Sequence, residues 1–252
     1  LHGKVGMVGL SYSGISQLFV GATRPPRLAA ITPQSVIADP WEMQWPGGLY
    51  NSGFTKQWLG ERDRQAEAGG MDWVARRAAA SDTTCRDNLA LRSQNIDFEV
   101  FLHGLRYRPA DALERSLPRL VSRIDVPVYL TGAWQDEQTG ALFGDMLDGF
   151  NGLPREQLKV TLYNGRHPDG YSPLVLSRWF EFLELYVARR IPVLNGFVRV
   201  AAAPEFAREF GVDGLGFEPD RFADQSTYAA ARAAYEAEAS VRGVRYTTED
   251  AS

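Results

Sequence analysis

Three residues whose side chains together can perform acyl transfer occur as Ser11, Asp136 and His167, in the order nucleophile, acid, base. A serine hydroxyl attacks a carbonyl carbon poorly until an imidazole accepts its proton, and the imidazole must be held in one tautomer by a carboxylate. Ser11 stands in the stretch Lys4-Val5-Gly6-Met7-Val8-Gly9-Leu10-Ser11-Tyr12-Ser13-Gly14. Val5, Met7 and Val8 suit a short buried strand, small residues crowd around the serine, and Ile15, Leu18 and Phe19 follow at helical spacing. The pattern predicts a strand that runs through a tight turn into a helix and raises a serine hydroxyl at the carboxyl edge of a sheet.

Such a turn needs small residues two before and two after the serine. Gly9 meets the first requirement, Ser13 stands where the strict pattern has glycine, and Gly14 comes one later. Ser13 is a second, poorer candidate, because Ser11 rather than glycine would then sit two before it. The stretch also fits a glycine-rich connection or an anion-binding helix start. Of the three histidines, His2 precedes the strand and is expected at the opposite edge of the sheet, and His103 falls in a helical stretch. Only His167, in Asn164-Gly165-Arg166-His167-Pro168, directly follows an apolar strand. Asp169 competes with Asp136 as the acid but is awkwardly close to His167 in the chain. Asp145 and Asp148 read as exposed helix residues.

The elements that must position these groups follow from periodicity. A helix after Ser11 should end near Gly21, and 28–32 is a second apolar strand, which makes a βαβ unit. From Trp41 to about Leu117 the periodicity is helical, with four of the six tryptophans (Trp41, Trp45, Trp58, Trp73), and segments 71–78 and 98–102 read as amphipathic turns. Strands are expected over 124–132 and 158–163, with a helix over 139–150 between them. A long helix is expected over 173–190, a strand opening at 197–200, an alanine-rich helix over 228–239 and a strand beginning at 241–246. Asp136 and His167 thus each lie just past the carboxyl end of a parallel strand, the edge at which open α/β sheets bind ligands. The order serine, aspartate, histidine is that of an α/β-hydrolase, and the long interval before Asp136 has room for a helical cap.

Composition limits the alternatives. The chain has 252 residues, 44% of them hydrophobic and 12% aromatic, ample for a sizeable core. A formal net charge of -4 gives no electrostatic footprint for nucleic acid, and the basic residues are scattered rather than clustered against a membrane. No apolar run approaches the length needed to cross a bilayer. Cys85 is the only cysteine, which excludes an intrachain disulfide and a cysteine metal cluster, and leaves the compartment open with a cytoplasmic one slightly favoured. A sheet that began with its nucleophile strand would expose an unpaired edge, so an amino-terminal part is expected before Leu1.

Gly9-Leu10-Ser11-Tyr12-Ser13-Gly14 resembles the G-x-S-Y-x-G elbow of the cocaine esterase and X-prolyl dipeptidyl peptidase (CocE/NonD-type, S15-like) family of serine hydrolases. Ala133-Trp134-Gln135-Asp136, with Gly140 following, is similar to its G-W-x-D-x-x-x-G motif, with Ala133 replacing the first glycine. Asn164-Gly165-Arg166-His167 stands where the family often has G-P-W-x-H; the histidine is kept and the residues before it are not.

The resemblance implies an α/β-hydrolase core over 1–39 and 119–192, a helical cap over 40–118 and the start of a carboxyl-terminal jelly-roll-like β domain over 193–252. It implies Ser11, His167 and Asp136 as the catalytic residues, the Tyr12 backbone amide as one oxyanion donor, and a second donor, a tyrosine hydroxyl upstream of the elbow, that this sequence does not contain. No metal or organic cofactor is required. The expected partner is a small ester or amide, or a short peptide, and an oligomer is left open. Trp41, Trp45, Tyr50, Phe54 and Trp134 are candidates to line an apolar substrate pocket, although the cap aromatics equally fit simple core packing. A carboxylesterase or acylase is expected, with an X-Pro dipeptidyl aminopeptidase as the alternative. The peptidase would need a carboxylate for the substrate amine, for which Glu42, Asp63 and Glu67 are candidates. A reading of another class is a non-catalytic binding or assembly domain that retains the hydrolase scaffold.

Overall fold

The computed structural model describes residues 3–67, 70–91, 96–238 and 241–244. His2 and positions 245–246 of the expected last strand lie outside the described residues. The chain divides into two compact units, one of residues 1–39 with 116–252 and the other of residues 40–115.

The first unit is built on a parallel sheet. β1 (Val5–Leu10) leads through Ser11 into α1 (Tyr12–Ala22), and β2 (Leu28–Gln34) returns beside β1 in parallel, the βαβ unit expected from the apolar runs. The second unit is helical: α2 (Pro40–Gln44), α3 (Phe54–Ala66), α4 (Asp72–Ala79), α5 (Thr83–Ala90), α6 (Phe98–Gly104) and α7 (Ala110–Glu114). Asp82 and Asp97 cap α5 and α6, accepting the amides of Cys85 and Val100 at 2.8 Å each. The first unit resumes with α8 (Leu117–Leu120), β3 (Val128–Ala133), β4 (Leu158–Tyr163), α9 (Pro173–Leu183), α10 (Gly196–Phe210), α11 (Tyr228–Ala237) and β5 (Val241–Val244). All neighbouring strands pair in parallel, in the spatial order β1-β2-β3-β4-β5.

Both faces of the sheet are covered, as a parallel sheet requires. Leu18, Ile31, Leu117, Ile124, Leu130, Phe143 and Met146 form the core on one side. Ala30, Tyr129, Phe182, Leu185, Ala231 and Tyr235 form the other. Of the described strands, β1 is at one end of the sheet, and Val5 and Val8 are 63% and 50% exposed along it.

Two expected elements take another form. The helix expected over 139–150 is a series of turns ending in a 3-10 segment, Gly144–Gly149; Gly140 sits at φ 57°, outside right-handed helical space, so no helix runs through it. The strand expected at 197–200, as the opening of a β domain, lies inside α10. Asn195 accepts the Phe197 amide at 2.8 Å as its cap, and the run Ala201-Ala202-Ala203 favours helix over the β-branched signal of Val198 and Val200. After α10 the described chain returns to the same sheet as β5. The helix expected over 173–190 breaks into a π-type turn at Glu184–Ala188, closed by Arg189 at φ 59°. Among the described residues, no helix is long and apolar enough to cross a membrane.

One buried side chain joins the first three elements. Gln17, on α1 and fully buried, donates to Ser13 O at 2.9 Å and Gly9 O at 3.5 Å and accepts the Thr32 amide at 2.8 Å. Replacing it with leucine keeps the volume but leaves the Thr32 donor buried without an acceptor. Gln17→Leu is expected to lose about 1–3 kcal/mol of stability, read as a lower urea midpoint with unchanged slope.

Candidate active site

Ser11 occupies a conformation that residues with side chains rarely adopt, φ 62° and ψ -126°. Three features enforce it. The Ser11 amide donates to Gln34 O on β2 at 2.8 Å, Ser11 O accepts from the Gly14 and Ile15 amides at 2.8 Å each, and Ser13 Oγ donates back to Leu10 O at 2.9 Å. The strand and helix therefore meet at very close range. A Cβ on Gly14 would lie 2.7 Å from Gln34 O, and one on Gly9 would collide with Ser13 Oγ. Ser13, standing where the strict motif has glycine, faces back into the turn as a brace.

Asp136 and His167 are brought together. Asp136 Oδ2 lies 2.8 Å from His167 Nδ1, with the carboxylate side chain fully buried and the imidazole 7% exposed. The other carboxylate oxygen accepts the Gln138 and Thr139 amides at 2.9 and 2.8 Å. Burial by itself would raise the Asp136 carboxyl, but the bonds from His167 and Thr139 outweigh it and hold the group below its ordinary value. The group is therefore a charged acceptor at neutral pH, which fixes Nδ1 as the protonated ring nitrogen and leaves Nε2 as the basic one.

The same sheet edge carries both this pair and the serine. Ser11 follows β1, Asp136 follows β3 and His167 follows β4, all parallel. The loop of His167 reaches back to the serine strand: a Cβ on Gly170 would lie 2.6 Å from Leu10 Cδ1 and 3.4 Å from Ser35 Oγ. Tyr12 opens α1, so its amide is among the first-turn donors that have no acceptor within the helix.

The competing candidates are otherwise engaged. Asp169 accepts the Arg166 amide at 2.7 Å and caps the 3-10 turn that holds His167. Within the helical unit, His103 packs on Tyr50 and Trp45, with ring centroids 4.5 and 6.2 Å away, and Phe54 packs on Trp58. Trp41 Nε1 donates to Leu105 O at 2.8 Å, and Asp63 accepts the Phe98 amide at 3.0 Å. Glu42 lies on α2 and Glu67 follows α3. Trp134 belongs to the first unit, is 55% exposed and packs on Phe143. Among the described residues, no group of three or more His, Cys, Asp or Glu could hold a metal ion.

Four supporting residues had no sequence signal. Gln17 braces the elbow, Gln34 lends its carbonyl to Ser11, Ser35 donates to His167 O at 3.5 Å, and Glu137 accepts the His167 amide at 3.0 Å.

Comparison with known proteins agrees with this architecture. Residues 1–169 match the profile of the family described as X-Pro dipeptidyl-peptidase (S15 family). A CocE/NonD family hydrolase from Staphylococcus aureus superposes in two crystal structures, with TM-scores of 0.55 and 0.54 and identities of 19% and 20%. In both cases 78% of this chain and 30% of the other are covered, so the chain spans about a third of the length of these structures. Among curated proteins no match was found. The first unit is an α/β-hydrolase core.

The lowered Asp136 carboxyl carries a pH signature. A carboxyl depressed in the folded state contributes stability above its unfolded value, near 3.8, and loses that contribution as pH falls through the folded one. Asp136→Asn is therefore expected to flatten the loss of stability below about pH 4, followed by urea unfolding across that range.

Proposed function

This chain belongs to the X-Pro dipeptidyl-peptidase (S15) family, and we propose that it carries the catalytic centre of a serine hydrolase that cleaves an ester or amide through an acyl-enzyme. The observation that supports this most is the buried 2.8 Å contact between Asp136 and His167 on the sheet edge where the strained Ser11 turn ends β1.

In this mechanism Ser11 Oγ attacks the acyl carbon while His167 Nε2 takes its proton. The Tyr12 amide donates to the oxyanion of the tetrahedral intermediate. His167 then returns the proton to the leaving alcohol or amine, and the acyl group stays on Ser11. Water attacks the acyl-enzyme with His167 again accepting a proton, and the carboxylic acid departs. Asp136 remains ionised throughout, holding the ring and stabilising its cationic form. Trp134, exposed beside Asp136, offers an apolar wall to the acyl or leaving group.

A fluorophosphonate probe is expected to label Ser11 in the protein that carries this chain. Ser11→Ala should abolish labelling, and Asp136→Asn should lower ester turnover by about 10⁴-fold. Labelling that survives Ser11→Ala would sink the assignment.

The substrate class expected is a carboxylesterase or acylase type. The family description favours a second reading, an X-Pro dipeptidyl aminopeptidase. Turnover of a simple aryl ester is expected to exceed that of an Ala-Pro anilide; a strong preference for the anilide would decide for the peptidase.

A further inference from the structure

The main chain of His167 is held as well as its ring. Its amide donates to Glu137 Oε2 at 3.0 Å, and its carbonyl accepts from Ser35 Oγ at 3.5 Å. Glu137 directly follows Asp136, so consecutive residues of one loop after β3 grip the same histidine at two points, the backbone N–H and Nδ1. With both points fixed, rotation about the histidine side-chain bonds has little freedom, and the direction of Nε2 is set.

Glu137 itself is braced. Gln138 Nε2 donates to its Oε1 at 3.3 Å. Burial works against charge on this carboxyl, but the His167 amide, its own amide and Gln138 outweigh that and keep the group below its ordinary value. An ionised acceptor makes a stronger bond to an amide than a neutral one. The side chain is nonetheless exposed, so it is not needed to fill the core.

We propose that Glu137 is a positioning residue for His167, its carboxylate clamping the His167 backbone N–H so that the loop after β3 fixes both the ring and the main chain of the base. The assignment rests on His167 acting as the base for Ser11. Removing the clamp loosens the loop and displaces Nε2 from the serine, a misplacement of the kind that costs about 10²-fold in rate.

The test measures the rate of Ser11 phosphonylation by a fluorophosphonate, together with kcat and KM on an aryl ester, in the protein that carries this chain. Glu137→Ala is expected to slow labelling and lower kcat by about 10- to 100-fold with KM unchanged. Glu137→Gln, whose amide oxygen still accepts, is expected to recover most of the loss. Glu137→Ala labelling at the wild-type rate, or Glu137→Gln behaving no better than Glu137→Ala, would overturn the proposal. If Glu137→Ala does not fold, Glu137→Asp decides, its carboxylate withdrawn by one methylene: slowed labelling in a folded protein supports the clamp, and a wild-type rate refutes it. Wild-type protein that labels at Ser11 while the variants are unaffected separates failure of the clamp from failure of the hydrolase assignment, in which the wild type itself would not label there.

Discussion

A carboxylate with no exposed side-chain surface persists as an anion only if donors surround it, and the Asp136 carboxylate has three: the His167 ring and the amides of Gln138 and Thr139. The rest of the site follows from that requirement. The two amides come from the turn that begins at Asp136, so the acid is held by its own loop. The third donor must come from elsewhere, and it comes from the loop after the adjacent strand β4. Removing the histidine would leave a buried charge short of a partner. Removing the aspartate would leave the imidazole free to change tautomer.

The second constraint is steric. Ser11 is held at positive φ by bonds from both sides, and the close approach of α1 to β2 excludes a side chain at Gly14. The strain is borne by ordinary elements. A fully buried Gln17 satisfies backbone groups on β1, β2 and the turn, and the sheet beneath is packed on both faces. A serine at a rigid strand end and a histidine held through both its ring and its main chain are what the proposed proton transfer between them needs. The His167 loop touching Leu10 keeps the two ends of this arrangement in register.

Much of this was legible in the sequence, because apolar runs of strand length report a buried parallel sheet directly. The run 158–163 coincides with β4, and the apolar residues from Val5 to Val8 and the run 28–32 fall within β1 and β2, although Val5 and Val8 on β1 are exposed rather than buried. Asp136 and His167 were marked by their places just beyond such runs. What periodicity could not report was conformation that depends on one residue. Gly140 at positive φ keeps the start of the expected helix from forming, and the cap from Asn195 begins a helix that takes in Val198 and Val200. Nor could it report Gln17, Gln34, Ser35 or Glu137, which act on backbone atoms distant in the chain, a relation that leaves no spacing to detect. Geometry distinguishes Asp136 from Asp169: the nearer aspartate in sequence caps its own turn, and the farther one meets the ring.

We propose that Ser11, His167 and Asp136 form one proton-transfer line. It is tested most directly by a crystal structure of the protein after reaction with an organophosphonate. The phosphorus is expected on Ser11 Oγ, with His167 Nε2 within about 2.6–3.2 Å of an oxygen of the adduct and Nδ1 still on Asp136. An adduct on another residue, or His167 turned away from Ser11 while still bonded to Asp136, would contradict it.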